Sequence, residues 1–241
     1  MSLLEDLKNN RDKQIMAISI VFFILAFPIY FGLAAAGADD FAGDNEVKEY
    51  QVTGEVTTIQ LAAGDEFIPN GDPLIIDDLH TDAIDGADEM NIVGVRLIMS
   101  YTEAEEGGNG PQCQGGGNAD DTITGSTMHG EYNETASGSN NGDSGSHTVE
   151  SYWIDESLIN ATVNMSKSQI IDEVDAGDLG LGSYMFEISV DASAGGSVLP
   201  GCQKTDNGED VIYELELIIF EYDIVLAPEV EEPEEPEEPE E

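Results

Sequence analysis

Residues 15–36, IMAISIVFFILAFPIYFGLAAA, run for twenty-two positions without a charge. Coiled as a helix, the run is about 33 Å long at about 1.5 Å per residue, enough to cross a hydrocarbon core of about 30 Å. Any folded body must therefore lie to one side of it. The stub at residues 1–14 carries Lys8, Arg11 and Lys13, whereas the first basic residue beyond the run is Lys48. That bias places the N-terminus inside and the bulk outside. Pro28 falls mid-run, where its missing N–H kinks a span without forbidding it.

Two other uses of the run are open. Ala36-Gly37-Ala38 has the A-x-A form of a signal-peptide cleavage site, although the run exceeds the usual apolar region of about 7–15 residues. Cleavage there gives a secreted product beginning at Asp39. A pilin-like filament core is the third use, and no processing motif accompanies it. All three put residues 39 onward outside the cytoplasm.

Beyond Ala36 the chain holds forty-eight acidic residues against four basic ones. Such a surface repels nucleic acid and anionic lipid heads, so neither is an expected partner. At about 1 M salt the Debye length falls to about 3 Å and the self-repulsion is largely screened. The acidity therefore reads as adaptation to a salty exterior before it reads as cation capture. About two hundred exterior residues suffice for one domain with a real core. Cys113 and Cys202 both lie in this exterior part, and an even count there predicts one disulfide. No C-x-x-C spacing or zinc ligand set accompanies them.

Residues 37–46 form a polar tether, residues 47–227 a β-rich domain, and residues 228–241 a Glu/Pro tail. Nine glutamates in its last thirteen residues, with regular prolines, keep that tail extended and solvated. Within the domain, VKEYQV and EVTTIQLA predict two strands joined by a hairpin across Thr53-Gly54. Residues 64–91 read as irregular, with LIIDDLH a short strand and DAIDGADE an acidic turn. Period-two alternation predicts strands over 92–101, 148–154, 158–165 and 183–191. Residues 102–147, rich in Gly, Ser, Asn and Asp, read as one long excursion with a single short strand near 122–128. The S-x-x-Q box of Ser166 and Gln169 starts a short helix that Gly177 is placed to end. The last strand, 211–226, buries Tyr213, Leu215 and Leu217, then Phe220, Tyr222 and Ile224; that slip predicts a β-bulge at Ile218-Ile219.

The order of these elements, with Trp153 on one strand and Gly182-Ser183-Tyr184 entering another, resembles an immunoglobulin-like β-sandwich. The Gly-x-Tyr entry is similar to the tyrosine corner at the start of strand F. The general style, one span, an acidic sandwich and a Glu/Pro tail, is similar to anchored surface proteins of acidic archaea. The resemblance implies an all-β antiparallel fold in which residues 92–101 are strand B, 184–190 strand F and 211–226 strand G. It also implies that Cys113, in the B–C connection, and Cys202, in the F–G connection, emerge at the same end.

Chemistry is sparse. Gly142-Asp143-Ser144-Gly145 resembles the nucleophile segment of chymotrypsin-like proteases, but Ser146 stands where a further glycine is expected and no matching histidine motif exists. The segment reads as a flexible loop, and His80, His129 and His147 as loop histidines. Two acidic stretches offer hard oxygen ligands for calcium. One comprises Asp77, Asp78, Asp82, Asp85, Asp88 and Glu89; the other comprises Asp206, Asn207, Glu209 and Asp210. Neither matches an EF-hand loop. Asn133, Asn160 and Asn164 head glycosylation sequons, with Asn160 and Asn164 on one outward strand face. The expectation is a single-pass, membrane-anchored, non-enzymatic envelope protein without a cofactor, partnered with envelope proteins or glycans. Its alternative is an anchored binding protein for a cation or small solute.

Overall fold

The computed structural model describes residues 45–102, 119–140, 143–196 and 204–228. The apolar run at 15–36, both cysteines and the Glu/Pro tail beyond residue 228 lie outside the described residues. Among the described residues no helix is long and apolar enough to cross a membrane.

The domain is antiparallel β with one short α-helix. Its strands are β1 (Val47–Pro69), β2 (Leu74–His80), β3 (Ile92–Thr102), β4 (Thr122–His129), β5 (Tyr132–Ser139), β6 (Ser144–Tyr152), β7 (Thr162–Ser166), β8 (Ser183–Asp191) and β9 (Gly208–Leu226); α1 (Lys167–Val174) follows β7. Five strands form one sheet in the order β6-β3-β9-β1-β7, and four form the other in the order β2-β8-β4-β5. The two sheets enclose one apolar core.

Alternation explains most of it. In β3, Val93, Val95, Leu97, Met99 and Tyr101 are buried, while Ser100 and Thr102 face out. In β8, Tyr184, Phe186, Ile188 and Val190 are buried, and the strand keeps the bounds expected from the sequence. Phe186 meets Tyr213 of β9 across the core, with ring centroids 5.3 Å apart. The capping box is also as expected. Ser166 Oγ accepts from Gln169 N, and the Gln169 side chain accepts from Ser166 N. This starts α1, whose Ile170 and Val174 are buried.

Five expectations need correction. Thr53-Gly54 is not a hairpin, because β1 runs unbroken and Gly54 pairs with Tyr222. A Cβ on Gly54 would lie 2.2 Å from the carbonyl oxygen of Glu221, so the glycine serves a close strand approach and not a turn. Residues 64–69, read as irregular, continue β1. The excursion at 102–147 holds β4, β5 and the start of β6. Residues 158–165 do not form one strand: Leu158 ends a 3-10 turn, Asn160 is left-handed (φ 57°), and β7 begins only at Thr162. Finally, β9 carries no bulge against β1 at Ile218-Ile219. The extra residues sit in its neighbours, one opposite those positions between Ile92 and Gly94, the other between Gln60 and Ala62.

The last two strands are also not side by side, as strands F and G would be. β8 pairs with β2 and β4, whereas β9 is central in the other sheet. The connection between them is long enough to carry the chain across the sandwich.

Candidate functional site

The β4–β5 hairpin fixes the best-defined polar cluster. Thr122 pairs with Ser139, which sets Asp121 and Asn140 opposite one another just beyond the strand ends. Asn140 Oδ1 accepts from Asp121 N (3.0 Å), and Asn140 Nδ2 donates to Asp121 Oδ2 (2.9 Å) and Glu209 Oε1 (3.1 Å). Ser193 N, just past β8, donates to Asp121 Oδ1 across 2.6 Å. Glu209 enters from β9 one alternation below Val211, on the core side, and Asp206 caps the turn before it by accepting from Gly208 N. Asp121, Asn140 and Glu209 are all 0% exposed. One carboxylate oxygen from each of Asp121, Asp206 and Glu209 lies within 4.8 Å of the others.

Burial opposes the ionisation of Asp121. The hydrogen bonds it receives from Glu209, Ser193 N, Asn140 and Asp206 win, and hold its carboxyl below the usual range. Two buried acids, Asp121 and Glu209, and the partly buried Asp206 cannot all be charged this close together without compensation. The Asn140 amide, donating to Asp121 and Glu209, supplies part of it. Asp121, Asp206 and Glu209 are the residues that could hold a hard cation. The Asn140 NH2 group, placed between two of them, already occupies part of the space a cation would take.

Of the expected calcium ligands, Asp206 joins this cluster, as does Glu209 of the same stretch. Asp210 points to the opposite face and is exposed. Asp77 and Asp78 on β2, and Asp82, Asp85, Asp88 and Glu89 in the turns after it, are exposed and do not converge. The loop assignment of the histidines is corrected, since each lies in a strand. His80 ends β2, His147 is inside β6, and His129 ends β4 and is 7% exposed. His129 stacks on Tyr184 (centroids 4.1 Å) beside Trp153, with Nδ1 2.9 Å from Ser183 O and Nε2 2.6 Å from Leu179 O. These contacts describe a packed core histidine.

Asn133 on β5 and Asn164 on β7 are exposed. Asn160 does not share a strand face with Asn164; its Oδ1 accepts from Gly54 N across 2.9 Å. Cys113 and Cys202 lie outside the described residues. Asp121 and Asn140 were missed in the sequence because their runs look like loop. Glu209 had a signal: the alternation Leu217, Leu215, Tyr213, Val211 extends to it.

The chain matches no model of a known protein family and no curated protein.

Proposed function

We propose that this chain is a single-pass, membrane-anchored surface protein whose β domain is a non-enzymatic interaction or structural module of the cell envelope. One observation carries this reading: an uncharged run long enough to span a bilayer separates a stub bearing three basic residues from a strongly acidic exterior. The immunoglobulin-like resemblance has support in the contact of Tyr184 with the backbone at Gly180. The placement of β8 and β9 in different sheets counts against it.

The test is fractionation of the source cells, followed by an alkaline carbonate wash and N-terminal sequencing. Retention in the membrane with the stub intact, and cleavage of the β domain by protease added outside, is the expected result. A soluble exterior product starting at Asp39 selects the cleaved signal peptide. Recovery from the cytosol overturns the proposal.

A second reading, an anchored binding protein for a cation, is favoured by the convergence of Asp121, Asp206 and Glu209 inside the protein. Calorimetric titration of the full chain with Ca²⁺ at high salt separates the two. Stoichiometric, saturable heat supports the cation, and silence favours the structural module.

A further inference from the structure

The outer face of the five-stranded sheet carries an ordered grid of side chains that anchoring does not use. Strand register sets Ser146, Ser100, Ile212 and Asp65 side by side across β6, β3, β9 and β1. The next row is Ser144, Thr102, Asp210 and Phe67. Their chain neighbours Tyr101 and Val211 are buried, so alternation turns both rows outward. Seven of these eight residues line one concavity of about 720 Å³, and Phe67 flanks it.

The mixture is specific. Ile212 and Phe67 are 58% and 49% exposed, and sit on diagonal positions of the same face, about 7–8 Å apart. Around them stand four hydroxyls and two carboxylates. A strand face needing only water requires neither of the large apolar groups. A sugar uses all three kinds. Its C–H faces cover Ile212 and Phe67, its hydroxyls exchange hydrogen bonds with the Ser and Thr hydroxyls, and Asp65 and Asp210 provide strong charged acceptors. Anionic ligands are repelled by those carboxylates and by the acidic surface beyond them. A basic peptide satisfies the carboxylates but leaves the hydroxyl rows without a matched partner.

We infer that this concavity binds a neutral saccharide through Asp65, Asp210, Ile212 and the facing hydroxyls of β3 and β6. The inference names a partner class for the envelope module and rests on that reading for its exposure outside the cell.

The test is titration of the full chain with neutral hexose hexamers (cello-, malto- and mannohexaose) in about 1 M salt and a detergent without a sugar headgroup. Saturable binding of at least one hexamer is expected. The exposed-site double variant Asp65→Ala/Asp210→Ala should weaken it at least tenfold, since each carboxylate accepts charge-assisted bonds. Asp77→Ala, on an exposed position of the other sheet, should leave it unchanged. No binding to any hexamer, or equal binding by the double variant, overturns the inference, as does binding of tetralysine in place of the sugars. Because the sugars are added to solubilised protein, such a failure leaves the fractionation result standing.

Discussion

The phenolic hydroxyl of Tyr184 donates to the carbonyl oxygen of Gly180 across 2.6 Å, tying the first inward residue of β8 to the 3-10 turn before it. Tyr184 is 1% exposed, and burial pushes its phenol well above the ordinary range, so it stays a donor. The stacked ring of His129 lies within hydrogen-bond distance of the carbonyls of Leu179, within this turn, and Ser183, the first residue of β8. Tyr184→Phe keeps the ring and removes only the donor. The expected loss is about 1–3 kcal/mol, read from the urea midpoint of the full chain, because a buried carbonyl is left unsatisfied. Faster hydrogen exchange at residues 180–182 should accompany it. An unchanged midpoint would mean that the bond does not hold the turn.

Thr127 presents the opposite case. Its side chain points from β4 into the core at 1% exposure, and its hydroxyl has no hydrogen-bond partner. The group lost its water on folding and gained nothing in return. Thr127→Val replaces it with a methyl of nearly the same shape in a strand, where valine is favoured. Stability should rise by about 1 kcal/mol, seen as a higher thermal midpoint. A fall of that size would show that the hydroxyl is satisfied in solution.

His147 gives the domain an acid-sensitive contact. Half-buried on β6, its Nδ1 accepts from the Tyr101 hydroxyl and its Nε2 donates to the Ala136 carbonyl, both at 3.3 Å, an arrangement that suits the neutral ring. Burial lowers its pKa, only partly opposed by the bond to Ala136. The unfolded chain therefore takes up this proton before the folded one does. The contribution is fully present above the unfolded value of about 6.5 and is lost as the pH falls through the lower folded value. His147→Gln keeps both hydrogen bonds without the titration. The stability of the native chain relative to this variant should fall on going from pH 8 to pH 5. A difference constant across that range would remove His147 as the cause.

How far the sequence reveals this fold depended on whether each strand advertises its own period. β8 and β3 do, because one face of each is apolar throughout. β5 and the start of β6 do not, because their inward positions hold small or polar residues, among them Glu134, Ala136 and Gly138 in β5 and Gly145 in β6. A Cβ on Gly138 would come 2.5 Å from the Tyr101 hydroxyl, and one on Gly145 would come 2.4 Å from the Tyr101 ring. The large side chain on β3 thus fills space that the small residues leave open, and the strand signal is carried by the partner. The buried acid cluster was half-legible for a related reason. Glu209 follows from alternation, whereas Asp121 and Asn140 meet only once the hairpin pairs its ends. The outer-face grid depends on register across four strands, which no single segment encodes.

The predicted bridge between Cys113 and Cys202 can be argued from the described residues that flank them. Asp121 lies eight residues after Cys113, and Ser193 nine residues before Cys202. Those two anchors touch, Ser193 N donating to Asp121 Oδ1. Each intervening segment can span more than about 25 Å when extended, so the cysteines can reach one another with slack. The closed loop of about 90 residues would stabilise the fold by about 4–5 kcal/mol in the chain-entropy model. Thiol labelling of the native protein in denaturant should find no free thiol until reductant is added. Reduction should then lower the unfolding midpoint and loosen the Asp121–Asn140–Glu209 cluster, seen as faster exchange of the Asp121 and Ser193 amides. Two labelled thiols before reduction would exclude the bridge, and an unshifted midpoint afterwards would show that the hairpin and β9 hold this end of the sandwich alone.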